Sequence, residues 1–322
     1  MYPFIDDDES LFREDLVADA FRAVEIDSKL YRLFPFFSIN TIVGSPAVLG
    51  KDPGWTVNEL IEVINANPQA DIPMGQWGSR EEFLDAIISQ NLEEYIDWDS
   101  GNAHFNKSEF IDLMEFIRLF PTDAELHSGH NGMFPDWVQA ISEGRQILMV
   151  TRVGLRSFRE VQNYISVFGG EVVYKGFPSE NREGNSIFTN YSLAMTTTSS
   201  DKHGAWSFLR MFLNEEWQRE YQDDNGSFPT NQVVFNELLS EAMSDLELRD
   251  GSTSTIPRNP LSQYEADQIL DLLASAIIAS YRSEPLANII REGVFDYLQG
   301  RTSAEDSARV IQSRVQIYLD ER

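Results

Sequence analysis

The 322-residue chain has no cysteine. That excludes disulfides, a thiolate nucleophile and any zinc or iron–sulfur centre held by sulfur. Histidine is scarce, with four in all, so imidazole chemistry has few places to occur. Basic residues are outnumbered: 25 Lys and Arg stand against 52 Asp and Glu, a formal net charge of −27. Such a surface repels polyanions, which excludes a nucleic-acid partner. No stretch approaches the roughly 20 apolar residues that span a bilayer. The opening MYPFIDDDES is acidic where a secretory leader is basic and apolar. The G-x-S-x-G, H-E-x-x-H, Gly-rich phosphate-loop and dinucleotide fingerprints are all missing, and with them the commonest enzyme signatures.

What is present is the material of an ordinary globular protein. Hydrophobic residues make up 42% and charged residues 24%, enough apolar mass for one large or two medium domains. LYRLFPFFSINTIVG (30–44) is aromatic and β-branched and predicts a strand that begins or bends at Pro35, since proline removes a ladder donor. GRQILMVTRVG (144–154) predicts a buried strand, and EVVYKGFPS (171–179) and NSIFTNYSLAMTTTS (185–199) predict two more. Helices are predicted over 10–26, after Thr56 with Glu59 as its capping-box partner, over 79–98 with Ser79 as cap, over 106–121 and over 158–169. Others follow Ser199 or Ser200, and Ser262. The polar, proline-containing 250–260 reads as a linker. Strands alternate with helices, so the class is α/β.

Three local clusters invite a chemical reading. His127 and His130 form H-x-x-H in a Gly-containing loop, but a zinc site needs at least one more ligand. Asp97, Asp99 and Asn102 open like a calcium loop, which lacks the glycine at its sixth position and has Ser108 where the twelfth needs glutamate. The run Asp6–Asp7–Asp8–Glu9 reads as a solvated turn. Paired glycosidase carboxylates cannot be picked out among so many acids. Aromatics are the more distinctive signal. Phe36, Phe37, Tyr191, Phe228 and Tyr264 lie where elements begin, end or bend. Aromatic faces stack on the C–H faces of sugars while Arg, Asn and Ser bond the hydroxyls. Arg152 follows a buried strand and emerges where α/β ligand crevices lie.

The last 37 residues, LANIIREGVFDYLQGRTSAEDSARVIQSRVQIYLDER, predict two amphipathic helices around Gly300. The second is capped by Ser303 with Asp306 and carries an apolar stripe of Ala308, Ile311, Val315, Tyr318 and Leu319. This segment resembles the C-terminus of the extracellular solute-binding proteins of carbohydrate ABC transporters. KDPGWTVNELIEVI, FNKSEFIDLMEFIRLFP, VYKGFPSENREGNSIFTNYSLAM, HGAWSFLRMFLNEEWQREY and GSFPTN resemble the same family in the same order, so the likeness runs from Tyr2 to Glu321.

The resemblance implies a two-lobed periplasmic-binding-protein-like (type II) α/β fold that binds a carbohydrate, an oligosaccharide, in the cleft between its lobes. On this chain residues 1–34 and 191–255 would form a partial N-terminal lobe and residues 36–185 and 260–322 the C-terminal lobe. The crossings would lie near 35–38, 185–191 and 256–260. It also implies a non-enzymatic role without cofactor or metal, permease subunits as partners, and an extracellular lipoprotein held at the membrane only through a lipid anchor that this chain does not carry. The chain starts where the family nears its first crossover, so the N-terminal lobe is expected to be incomplete. The ligand residues expected are Phe36, Phe37, Ser38, Arg152, Tyr191, Phe228 and Tyr264, with aromatics stacking and Ser38 and Arg152 bonding hydroxyls. The alternative is a binding-protein scaffold that serves as an interaction protein without ligand.

Overall fold

The structure, a computed structural model, describes residues 1–75, 79–122, 124–125, 136–155, 157–189, 191–244, 260–277 and 284–321. Its strands are β1 (Phe36–Gly44), β2 (Ile96–Asp97), β3 (Asn102–Ala103), β4 (Leu148–Val153), β5 (Val173–Tyr174), β6 (Ser186–Phe188) and β7 (Phe228–Pro229). The chain forms two compact units. One comprises Met1–Val43, Thr151–Tyr174 and Asn185–Ile278; the other comprises Gly44–Val150, Lys175–Gly184 and Ala279–Arg322. The first unit therefore takes in most of β1 and residues 151–174, where the resemblance puts both in the C-terminal lobe. The reason is local: β1 runs unbroken from Phe36 and pairs with β6 and β7 of the same unit. Pro35 starts the strand rather than dividing the chain. The linker expected at 250–260 and the crossing near 256–260 fall outside the described residues, except Pro260.

In the first unit, β1 is the common member of a five-stranded sheet. β4 and β5 flank it, and β6 and β7 also pair with it. Every residue of β1 except Asn40 is buried, which is why its sequence reads as a nearly continuous apolar run. Aromatic rings build the core behind it. Phe21 stacks on Phe34 at 4.8 Å, Phe37 meets Phe228 at 5.6 Å, and Phe228 meets Phe235 at 5.5 Å; such pairs add about 0.5–1.5 kcal/mol beyond their buried area. The helix predicted over 10–26 breaks into a 3-10 turn, Arg13–Asp15, and a short helix, Ala18–Arg22. Between them the Val17 N–H donates to the Thr230 carbonyl at 2.9 Å, and Leu16 bridges Asn231, so this backbone is extended.

The N-terminal acidic run does more than face solvent. Asp6 takes a two-pronged contact from Arg13. The Asp8 side chain is only 5% exposed and accepts from the Ser10 N–H and hydroxyl, Trp206 Nε1 and Arg210. Burial opposes its ionisation, but the Ser10 and Trp206 hydrogen bonds and the Arg210 charge outweigh it and hold the pKa at about 2. This clasp ties residues 8–10 to the helix Lys202–Met211. That helix is capped by Asp201, whose carboxylate accepts from the Gly204 N–H at 2.8 Å, rather than by Ser199 or Ser200.

The second unit is mainly helical. Helices Arg80–Gln90 and Ser108–Ile117 pack with the C-terminal pair Glu284–Leu298 and Ala304–Asp320. The first of these stops at Asn91, short of the predicted 98, because the Asn91 amide turns back to the carbonyls of Ile87 and Pro178. Tyr95, Phe105 and Phe110 form a ring cluster with centroids 5.1–5.4 Å apart. The hairpin β2–β3 presents an edge that two glutamines complete. Gln312 donates to the Ala103 carbonyl at 2.7 Å and accepts from the Phe105 N–H at 2.7 Å. Gln316 donates to Gly101 and accepts from the Ala103 N–H, both at 2.9 Å. The last helix thus supplies the bonds that a neighbouring strand would make.

Two measurements follow from these contacts. Replacing Gln312 by Ala strands a partly buried N–H and C=O, and should lower urea-measured stability by about 2 kcal/mol; replacing the exposed neighbour Arg309 should change it little. Because the folded pKa of Asp8 lies below its ordinary 3.8, its contribution is complete above that value and is lost as pH falls through about 2. Stability of the wild type should decline over that window, and the decline should be shallower in Asp8→Asn.

Candidate functional site

In β1 alternate residues share a face, so Phe36, Ser38 and Asn40 point one way and Phe37, Ile39 and Thr41 the other. β6 runs antiparallel, with Ser38 opposite Phe188 and Asn40 opposite Ser186. Arg152, exposed in the last part of β4, reaches across this face. Its Nε donates to Asn40 Oδ1 at 3.0 Å, and its guanidinium carbon lies 3.5 Å from the centre of the Phe188 ring. Stacking on the ring and pairing with Asn40 fix the guanidinium plane, and at a partly exposed position the ring contact contributes about 0.5–1 kcal/mol. Partial burial lowers the Arg152 pKa, but arginine remains charged across the working pH range.

Beside this group, Ser38 donates to the Ser227 hydroxyl at 3.0 Å, and both are buried. The approach depends on Gly154: a Cβ there would fall 2.6 Å from the Gly226 carbonyl and 3.0 Å from Ser38 Oγ. On the same side of β1, Phe36 is covered by Trp217 at 5.7 Å, and Trp217 meets Tyr221 at 4.8 Å. Trp217 is half-buried and Tyr221 exposed. One face of the first unit therefore combines a planar cation, an amide and aromatic rings over a buried pair of hydroxyls. Groups of this kind can hold a neutral, hydroxyl-rich ligand.

The structure treats the expected ligand residues unequally. Arg152 lies on this face, whereas Ser38 is buried and its hydroxyl is spent on Ser227. Phe36, Phe37 and Phe228 do not offer a ring to a ligand: they are at most 2% exposed and are enclosed by Trp217, Phe34, Phe235 and one another. They are core, because β1 is covered on both faces. Tyr191 is 39% exposed, and its partial burial raises the phenol pKa. Tyr264 stands in the first turn of helix Gln263–Ala274 and accepts from Gln268 at 3.0 Å. Among the described residues no hydrogen bond or ring contact joins Tyr191 or Tyr264 to the Arg152 group. Asn40, Phe188, Trp217 and Tyr221 belong to the face and escape a local reading. The period-two pattern of β1 pairs Asn40 with Ser38, and the four-residue step pairs Trp217 with Tyr221; Phe188 requires the cross-strand register.

The other local clusters resolve differently. Asp97 accepts from the N–H groups of Asp99 and Ser100 and from the Ser100 hydroxyl at 2.6 Å. Its oxygens close a turn instead of awaiting calcium, and the Ser100 bonds hold its pKa below the usual range. Among the described residues no three His, Cys, Asp or Glu side chains gather as a metal site. His127 and His130 lie outside those residues.

No family model matches the chain, and no curated protein matches it in sequence. Solved structures do match it in fold. The sugar-binding protein MalE from Xanthomonas citri superimposes with a TM-score of 0.57 at 14% identity, over 100% of this chain and 79% of that one. A substrate-binding protein of an ABC transporter from Listeria monocytogenes, in complex with cycloalternan, gives 0.57 at 14% identity over 99% and 79%. Maltose-bound MalE3 of T. maritima gives 0.51 at 17% identity over 95% and 77%. The chain has the mixed α/β fold of periplasmic sugar-binding proteins.

Proposed function

We propose that this chain is a carbohydrate-binding, non-enzymatic substrate-binding component of an ABC importer. The observation that carries the reading is a fold shared over nearly the whole chain with sugar-binding proteins, together with one face that holds Arg152, Asn40 and Phe188 in a fixed arrangement. Arg152 and Asn40 bond sugar hydroxyls, and Phe188 and Trp217 set the ring-facing walls. The relatives bind maltose and cycloalternan, so the ligand class is a neutral glucose-containing oligosaccharide. The protein works outside the cytoplasmic membrane and hands sugar to permease subunits, and its full-length form is held at the surface by a lipid anchor. No helix among the described residues is long and apolar enough to cross a membrane.

The reading is tested by calorimetry against maltose, maltotriose and cyclic glucose oligosaccharides. At least one should bind without being cleaved. Arg152→Ala removes charged hydrogen bonds that contribute about 1.5–3 kcal/mol in binding sites, so affinity should fall about 10- to 100-fold with the folded baseline unchanged. Absence of binding across the series, or unaltered affinity in Arg152→Ala, contradicts the assignment.

A further inference from the structure

A second concave site lies entirely within the second unit. A groove of about 370 Å³ runs against helix Val57–Ala66 and is closed by the loop around Asp52 and by Lys175 and Arg182. On the helix, Glu59, Glu62, Val63 and Ala66 recur at three- and four-residue steps and form one wall.

Three observations set it apart from an ordinary surface crease. Lys175 is 4% exposed, and its ammonium donates to the carbonyls of Asp52 and Gly54. It has three N–H donors, so one is left without a partner among the described residues. Burying a cation is costly, and burial accordingly lowers its pKa. Arg182 is held at φ 62°, the left-handed region that a residue with a Cβ avoids. It stays there because it is clamped: its guanidinium pairs with Glu59 at 2.7 Å, and Gly54 packs so closely that a Cβ would fall 2.1 Å from the Arg182 carbonyl. Across the groove, the Asp52 and Glu62 side chains make no hydrogen bond or ion pair among the described residues.

Cationic donors and exposed carboxylates therefore line one space, with Val48 and Val63 as an apolar strip. A charged ligand of either sign meets its own sign there. A hydroxyl-rich neutral one can accept from Lys175 and Arg182, donate to Asp52 and Glu62, and lay its C–H face on the valines. We propose that this groove is a separate binding site for a neutral polyol of monosaccharide size, a free hexose or an alditol. It is independent of the Arg152 face.

Saturation-transfer NMR with D-glucose and with sorbitol tests it on wild type, Glu62→Arg, Arg182→Gly and Arg152→Ala. Glu62 is exposed on its helix, so arginine there blocks the groove without entering the core; Arg182→Gly removes the guanidinium and suits the left-handed backbone. Transfer to at least one probe is expected in wild type and in Arg152→Ala. It should be lost in Glu62→Arg and weakened at least fivefold in Arg182→Gly. Transfer to glucose alone assigns the ring form, and to sorbitol alone the open chain. Absence of transfer in wild type, or equal transfer in wild type and Glu62→Arg, overturns the proposal. Loss in Arg152→Ala alone overturns it while leaving the Arg152 reading intact. Loss in Glu62→Arg alone supports it even if that reading fails.

Discussion

Burial of β1 on both faces is the constraint on which the first unit depends. A strand covered on both sides must satisfy every backbone group through its neighbours, and β1 recruits four partner strands to do so. Its one incompletely buried residue, Asn40, is the one that meets Arg152. The face proposed for ligand is therefore the place where an otherwise closed strand opens. Its polar groups are held by rigid sheet geometry rather than by a loop, which keeps a guanidinium in one orientation and limits the entropy lost when a ligand arrives.

The charge balance fits this picture. A net charge of −27 disfavours anionic ligands and polyanions, whereas a neutral sugar is indifferent to it. Under the proposed function, recognition comes from directed hydrogen bonds and ring stacking, the kinds of contact that Arg152, Asn40 and Phe188 already make with one another. The groove of the second unit uses a different device. There, charges of both signs surround a buried ammonium, and the strained backbone of Arg182 is kept in place by a glycine that gives it room.

What could be read from the sequence divides along the line between local and non-local physics. The capping box at Thr56 with Glu59 and the caps at Ser262 and Ser303 form as the sequence predicts, because each needs only its own turn. The start of β1 after Pro35 is local in the same sense. Phe36, Phe37 and Phe228 were open to misreading because burial is set by partners more than a hundred residues away, and an aromatic residue at a strand end looks the same whether it faces a core or a ligand. The interruption at Leu16–Val17 has the same origin: an amphipathic pattern gave way to a backbone bond with Thr230. Phe188 became visible only through its register with Ser38.

The central claim is that sugar binds where β1 opens. Hydrogen exchange read by mass spectrometry, with and without the tightest-binding glucose oligosaccharide, tests it most directly. The account predicts slowed exchange in peptides carrying Ser38–Asn40, Arg152–Gly154 and Phe188. Protection that spares these segments, or no protection at a saturating concentration, would contradict it.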